Sequence, residues 1–170
     1  GYPYIFFNGN ANKGTPEVYK DKDHKINASN LCTEIMLPSN DQWSFVCVLS
    51  SLNVLHFDKW KNTDAVETMV YFLDAVITEF LEKLEYFKSS SNRDDQQTFL
   101  FMERAYNFAK ENRALGLGVL GWHSLLQSKM LPFNSQDAFD LNNEIFKCIK
   151  TNSYKASKEL AEKFGEPKVL

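Results

Sequence analysis

The sequence predicts an α/β fold that is rich in helix. Apolar residues recur at helical spacing between residues 64 and 87 and again after residue 135. Two shorter runs, 45–53 and 113–119, carry the β-formers or glycines expected of strands. With 44% hydrophobic and 24% charged residues and a net charge of −3, the 170-residue chain has an ordinary globular composition.

The first part of the chain alternates short apolar runs with polar ones. Tyr4–Phe7 is apolar and predicts a short strand. Residues 8–25 carry Asn, Gly, Pro, Lys and Asp and predict a surface loop. Phe45–Asn53 is rich in β-formers and serines, so we expect a buried strand there.

The most clearly patterned element is a long helix that ends near Phe87. Asp64 and Glu67 resemble a capping box at its start. The apolar residues at helical spacing are Val66, Met69, Val70, Leu73, Ile77, Phe80, Leu81 and Leu84. The polar residues 89–95 break this pattern and predict a loop.

The second half is predicted to contain three helices and a strand. We expect a helix over Phe99–Lys110, a strand over Arg113–Val119 and a helix over Trp122–Ser128. A last long helix begins at Ser135 and ends at Gly165, because serine caps helix N-termini and glycine terminates helices.

One short segment carries side chains suited to catalysis. Asn30, Cys32 and Glu34 occupy every second position. In an extended segment they would share one face, with neighbours about 6–7 Å apart at a rise of ~3.3 Å per residue. We therefore expect this segment to be extended.

The three groups have complementary chemistry. The Glu34 carboxylate can accept a proton from a hydroxyl, and the Asn30 amide can orient that hydroxyl or the carboxylate. The Cys32 thiol can serve as a nucleophile, a metal ligand or a redox centre. The simpler interpretation is that Cys32 is a small buried apolar residue and its two neighbours are ordinary polar loop residues.

A family resemblance favours the catalytic interpretation. The motif Asn-Leu-Cys-Thr-Glu-Ile at 30–35, the run Ser-Phe-Val-Cys-Val-Leu-Ser-Ser-Leu-Asn at 44–53 and Asn-Arg-Ala-Leu-Gly-Leu-Gly-Val at 112–119 resemble the large subunit of class I ribonucleotide reductases. Leu31 favours class I, since class II relatives usually carry proline there. The resemblance implies that the chain is part of that family's ten-stranded α/β barrel.

The resemblance also implies residue roles. Cys32 would carry the thiyl radical that abstracts the 3′ hydrogen of a ribonucleoside diphosphate. Glu34 would accept the 3′-hydroxyl proton, while Asn30 would bind the substrate hydroxyls and position Glu34. Cys47 would be one of two cysteines that reduce the 2′ carbon and end as a disulfide, its partner cysteine lying outside this chain.

By the same resemblance, residues 1–170 are an internal fragment of the catalytic barrel domain, with the finger loop at about 27–44. The resemblance implies that the N-terminal nucleotide-sensing domain and the C-terminal tail lie outside this chain, so we expect the fragment alone to be inactive. We expect this segment to bind no cofactor. The full enzyme would use a metal/radical cofactor in a small subunit, ATP and dNTP effectors, thioredoxin or glutaredoxin as reductant, and a large-subunit homodimer.

Several other functions are not supported. The mild acidity and the lack of a basic stripe argue against nucleic-acid binding. We expect no membrane span, because no stretch of 18 apolar residues occurs. Three dispersed cysteines indicate a reducing compartment, so we expect a cytoplasmic location. His24, His56 and His123 are scattered, so we expect no metal site.

The sequence contains the residue pattern of a dinucleotide-binding motif but not the structural context that the motif needs. Residues 116–121 read G-x-G-x-x-G, but residues 109–113 before them do not make a core strand. We expect these glycines to allow close packing of a barrel strand instead. Cys148 lies on an apolar helical stripe with Leu141, Ile145, Ile149 and Ala156, so we expect it in a core.

Two alternative functions stay open. Cys32 and Cys47 could form the reversible disulfide of a thiol–disulfide redox protein. The chain could also be a non-catalytic interaction module that docks a partner through the 64–87 helix. The second alternative leaves the Asn30, Cys32 and Glu34 pattern unexplained.

Overall fold

Two parallel strands form a small sheet. The computed structural model describes residues 3–170, and in them β1 (Val48–Asn53) pairs with β2 (Leu115–Leu120). The register places Leu52 opposite Val119. Parallel neighbours need a long crossover connection, and helices supply it here. The predicted α/β class is confirmed.

Most of the remaining chain is helical. The helices are α1 (Asn8–Lys13), α2 (Glu17–Lys20), α3 (Phe57–Trp60), α4 (Ala65–Ser89), α5 (Arg93–Asn112), α6 (Trp122–Ser128) and α7 (Gln136–Phe164), with a 3-10 turn at Val54–His56. The three helices predicted near 64–87, 122–128 and 135–165 are confirmed. Helix α7 begins where the Ser135 hydroxyl accepts from the Ala138 N–H at 3.2 Å, and it ends at Gly165 with a φ of 89°.

The chain divides into two compact units. One unit holds the chain up to Cys47, Ile77–Ala114 and Pro167–Leu170; the other holds Val48–Val76 and Leu115–Glu166. A cluster in the first unit has Leu84, Phe99 and Tyr106 at its centre. The second unit has the larger cluster, formed by Leu52, Val54, Phe57, Val66, Leu125, Ile145 and Ile149.

The N-terminal predictions need correction. Tyr4–Phe7 is not a strand, because no strand among the described residues pairs with it. Residues 8–25 contain the short helices α1 and α2 rather than loop alone. The Asn12 side chain stabilises this local structure, since it donates to the Ile26 carbonyl at 2.8 Å and accepts from the Ile26 N–H at 3.0 Å.

Several boundaries also differ from prediction. Strand β2 spans Leu115–Leu120 instead of Arg113–Val119, and the loop expected over 89–95 is shortened to 90–92 by the ends of α4 and α5. Helix α5 begins six residues before Phe99, because Asn92 Oδ1 accepts from the Asp94 N–H at 2.8 Å and caps the helix. Strand β1 begins at Val48, and within it Leu52 alone is buried. The capping box at Asp64 is wrong, since the Glu67 carboxylate is buried and accepts from Lys155 Nζ at 3.3 Å.

None of the helices within residues 3–170 combines the length and apolar character needed to cross a lipid bilayer.

Candidate active site

Residues 30–35 form a tight turn. The Thr33 N–H donates to the Asn30 carbonyl at 3.1 Å, and the Asn30 N–H donates to the Ile35 carbonyl at 3.3 Å. These two bonds reverse the chain, with Cys32 at the tip of the turn. The predicted extended segment is therefore wrong, because the main chain closes on itself instead of continuing as a strand.

Two side chains support this turn. Asn30 Oδ1 accepts from the Ile35 N–H at 3.0 Å, which adds a bond across the base of the turn. Thr33 has a φ of 64°, in the left-handed region that β-branched residues rarely adopt. Its hydroxyl donates to the Cys32 carbonyl at 2.6 Å. Strained backbone of this kind concentrates at functional sites.

The turn brings Asn30 and Glu34 into direct contact. Asn30 Nδ2 donates to Glu34 Oε1 at 2.7 Å. The bond uses one of the two carboxylate oxygens, and the Glu34 side chain is exposed. The arrangement suits a carboxylate that accepts a proton, because the amide fixes its orientation. The sequence pattern thus identified two residues that meet, although by a different backbone conformation.

The two cysteines of this unit lie in different environments. Cys32 is an exposed free thiol, whereas Cys47 is a partly buried free thiol. Burial raises the pKa of the Cys47 thiol, and the negative charge of Glu34 raises that pKa further. Both effects disfavour the thiolate form of Cys47 relative to an ordinary cysteine.

An open cleft borders the turn. It has a volume of about 460 Å³, and Asn27, Ser29, Asn30 and Thr33 contribute to its lining. Amide and hydroxyl groups of this kind can donate and accept hydrogen bonds with a polar ligand. Leu31 and Thr33, the neighbours of Cys32 on either side, also line the cleft, so the cleft borders the turn on both sides of Cys32.

The base of the loop is tied together by residues that sequence reasoning missed. Asn27 Nδ2 donates to the Ser39 carbonyl at 2.8 Å, which closes the neck of the loop. Beyond it, an Arg104 nitrogen donates to the Asn40 and Trp43 carbonyls at 2.6 and 3.3 Å. The one feature of the sequence that could have indicated an anchored loop is Trp43, a large aromatic residue between polar ones. Nothing in the spacing of Arg104 pointed to this segment.

Cys148 belongs to the other unit and has a structural environment. It packs against the core cluster there, and its thiol donates to the Lys61 carbonyl at 3.7 Å. Burial is the largest cause of its raised pKa. The predicted core placement of Cys148 is confirmed.

The first two glycines of the glycine-rich motif lie inside a strand, and the third, Gly121, follows it at the start of α6. Gly116 and Gly118 belong to β2, whereas a dinucleotide-binding loop would follow the strand. A Cβ on Gly116 would lie 2.3 Å from Leu49 Cδ2 on β1, so the glycine allows close packing as predicted. Across residues 3–170, no group of three or more His, Cys, Asp or Glu side chains is arranged to hold a metal ion.

The whole chain matches a known family. A sequence model of the family described as "Ribonucleotide reductase, barrel domain" matches residues 1–169. The chain is 37% identical over 166 residues to the putative ribonucleoside-diphosphate reductase large subunit of Frog virus 3 (isolate Goorha). It is also 37% identical over 166 residues to the ribonucleoside-diphosphate reductase large subunit of Invertebrate iridescent virus 3. Both alignments cover 98% of this chain, but 27% and 24% of those proteins.

A solved structure is similar over the same extent. The Actinobacillus ureae class Id ribonucleotide reductase alpha subunit is 54% identical, with a TM-score of 0.87. The alignment covers 100% of this chain and 30% of that one. The chain thus spans about a quarter of the length of these curated relatives.

Proposed function

The chain belongs to the ribonucleotide reductase barrel-domain family, and on that basis we propose that the turn at Cys32 is the active-site loop of a ribonucleoside-diphosphate reductase. The two-stranded sheet is then a portion of the family's barrel, which the rest of the large subunit completes. The chain alone would be inactive, because it spans about a quarter of its relatives.

The observation that carries this proposal is the 2.7 Å bond from Asn30 Nδ2 to Glu34 Oε1 beside the exposed Cys32 thiol. Reduction of a ribose 2′-hydroxyl requires a hydrogen-abstracting group and a base for the neighbouring 3′-hydroxyl. An oriented carboxylate next to an accessible thiol supplies both groups. Asn30, Cys32 and Glu34 all belong to the one turn formed by residues 30–35.

The first step in this mechanism uses Cys32 and Glu34. The Cys32 sulfur, as a thiyl radical, takes the hydrogen atom from C3′ and becomes a thiol, leaving a radical at C3′. Glu34 then accepts the 3′-hydroxyl proton, while Asn30 orients the carboxylate through its amide. The oxidising equivalent would come from a metal/radical cofactor in a separate small subunit.

The second step uses Cys47. The 2′-hydroxyl leaves as water, and two thiols supply the two electrons and two protons that replace the C–O bond by a C–H bond. Cys47 and a cysteine outside this chain end as a disulfide, Glu34 returns its proton to the 3′ oxygen, and Cys32 returns its hydrogen to C3′ and is again a thiyl radical. The raised pKa of Cys47 is compatible with this role, since the step starts from the thiol form.

The remaining assignments follow from the family. We propose a large-subunit homodimer that works with the small subunit, is regulated by ATP and dNTP effectors, and is re-reduced by thioredoxin or glutaredoxin. The reaction would take place in the cytoplasm.

The test is ribonucleoside diphosphate reduction by the full-length parent subunit with its small subunit. Cys32→Ser is expected to abolish reduction while leaving nucleotide binding intact. Cys148→Ser is the matched control, since that thiol lies in the core of the other unit. Full activity of Cys32→Ser would refute the proposal and favour either a Cys32–Cys47 redox pair or a non-catalytic module.

Peptide mapping without reductant separates those two alternatives. A reversible Cys32–Cys47 disulfide in an active parent would indicate the redox protein. Its absence, together with binding of a partner through α4, would indicate the interaction module.

A further inference from the structure

The segment that follows the active-site turn has no regular secondary structure. Between Ile35 and Cys47 the chain forms neither helix nor strand. Main-chain groups in such a segment need partners outside a helix or sheet. The position of Cys47 relative to Glu34 therefore depends on whichever side chains fix this segment.

Helix α5 supplies one of these side chains. A single Arg104 nitrogen donates to the Asn40 carbonyl at 2.6 Å and to the Trp43 carbonyl at 3.3 Å. The Ser44 N–H in turn donates to the Arg104 carbonyl at 3.2 Å. Arg104 thus contacts three successive points of the segment with its side chain and main chain. Hydrogen bonds from a charged donor are about twice as strong as neutral ones.

Trp43 supplies a second anchor. Its side chain is 7% exposed, and its indole N–H donates to Glu111 Oε2 at 3.1 Å. Its ring lies 4.6 Å from the His24 ring and 5.9 Å from the Phe108 ring, measured between centroids. Glu111 also accepts from Lys168 Nζ at 3.2 Å. Both anchors tie the segment to α5, through Arg104 and through Glu111, which lie eight residues and one residue from the C-terminal end of the helix at Asn112.

We propose that Arg104 and Trp43 are positioning residues, an exit clamp that fixes the segment after the turn and so sets the place of the Cys47 thiol opposite Glu34. This inference rests on the proposed function for its effect on turnover. Neither residue needs to touch substrate. Cys47 follows Trp43 by four residues, and between them the Phe45 ring packs 6.5 Å from the Phe108 ring, measured between centroids.

The clamp predicts a specific signature at Cys47. When the segment is loosened, the thiol becomes more accessible to water and is no longer held near the Glu34 carboxylate. Both changes favour the thiolate, since burial and Glu34 are what raise the pKa of Cys47. A residue that stabilised the protein only in general would not shift the Cys47 pKa while leaving the Cys148 pKa unchanged.

The experiment uses the full-length parent with its small subunit. Arg104→Met removes the donors and keeps an apolar stem. It is expected to lower kcat roughly 10- to 100-fold with little change in KM, because small misplacements of reacting groups have effects of that size. Alkylation of Cys47, followed by mass spectrometry over a pH series, is expected to show a lowered pKa. Arg104→Lys, which keeps the charge, should restore part of both properties.

Lys110→Met is the matched control. Lys110 is on the same helix, but its Nζ contacts Glu85 and Tyr106 instead of the segment. It is expected to leave kcat and the Cys47 profile unchanged. An Arg104→Met enzyme with wild-type kcat and a wild-type Cys47 profile would overturn the proposal.

Two further results keep the test decisive. If Arg104→Met also exposes Cys148, the protein has lost its fold and Trp43→Phe decides, since it removes the indole N–H but keeps an aromatic ring. An unchanged Cys47 alkylation profile in Trp43→Phe overturns the clamp.

The Cys32→Ser variant separates the clamp from the proposed function. If Cys32→Ser abolishes reduction while the clamp variants behave as wild type, the clamp alone fails. If Cys32→Ser stays active, the proposed function fails, and the Cys47 profile still decides on the clamp.

Discussion

The side chain of Asn30 makes two bonds at once: its Nδ2 donates to Glu34 Oε1 at 2.7 Å, and its Oδ1 accepts from the Ile35 N–H at 3.0 Å. One amide therefore both closes the turn and orients the carboxylate. Any movement of the turn is transmitted to Glu34. The residue that shapes the loop is also the residue that places the proposed base.

Asn30→Ala is expected to lower turnover of the parent enzyme about 10- to 100-fold, because the carboxylate loses its orienting donor and the turn loses a closing bond. The measurement is steady-state reduction of a ribonucleoside diphosphate. Asn143→Ala, at an exposed position of α7, is the control and should behave as wild type. Unchanged turnover in Asn30→Ala would show that the bond to Glu34 is incidental.

Glu34→Gln is expected to fold but to lose turnover by roughly 10²- to 10⁴-fold, the range typical of general-base removal. The amide keeps the size of the side chain and cannot accept the 3′-hydroxyl proton. Binding of the nucleotide should be retained, which separates a chemical defect from a folding defect. Wild-type rates would remove Glu34 from the chemistry.

The same variant should change the titration of Cys47. The Glu34 charge disfavours the thiolate, so its removal should lower the Cys47 pKa while the effect of burial remains. Alkylation of Cys47 at a fixed pH below that pKa should therefore become faster. Cys148 is an internal control, because burial, a hydrogen bond from Asn152 and charges other than Glu34 account for its shift. An identical Cys47 profile in both proteins would contradict the proximity of the two groups.

Cys47→Ser should still allow hydrogen abstraction at Cys32 but should stop reduction of the 2′ carbon. Serine cannot form the disulfide that supplies the two electrons. The expected result is a low yield of deoxynucleotide, together with release of free base from substrate radicals that are not reduced at the 2′ carbon. Product analysis by chromatography measures both. A normal deoxynucleotide yield over many turnovers would rule out the proposed role of Cys47.

Gly121→Ala is expected to destabilise the junction between β2 and α6. Gly121 has a φ of 82°, a conformation that costs an L-residue about 1–2 kcal/mol. An added Cβ would also lie 2.5 Å from Asn53 Oδ1, which accepts from the Leu55 N–H at 3.1 Å. Hydrogen exchange in β2 should be faster in the full-length parent.

Gly9→Ala is the control for that experiment. Gly9 lies within α1 with no atom within 4 Å of the added Cβ, and alanine favours helix. Its exchange in β2 should equal that of the wild type. Equal exchange in Gly121→Ala would show that the junction adapts to a side chain.

Long periodic elements were predictable from sequence, whereas short ones were not. Helices α4 and α7 follow from apolar periodicity, and Ser135 and Gly165 marked the ends of α7. Tyr4–Phe7 has strand-like composition, but a strand also needs a neighbour, which single-sequence patterns do not reveal.

In the candidate site too, some features could be predicted from sequence and others could not. Residues close in sequence, such as Asn30 and Glu34, could be grouped by spacing, although the backbone that joins them is a turn. Arg104 could not be found, because it contacts Asn40 across 64 positions of sequence and no local pattern encodes that contact. The left-handed conformation of Thr33 was equally hidden, since threonine is not a residue that predicts it.

The parallel pairing of β1 with β2 has a consequence during synthesis on the ribosome. Val48–Asn53 is translated long before Leu115–Leu120, with α4 and α5 between them. At about 5–20 residues per second, β1 waits roughly 3–12 seconds for its partner strand. Ser50 and Ser51 interrupt the apolar residues of this strand, which is expected to reduce its tendency to associate with other nascent chains during that interval. We therefore expect a chain with valine in place of both serines to associate more readily while β1 is unpaired.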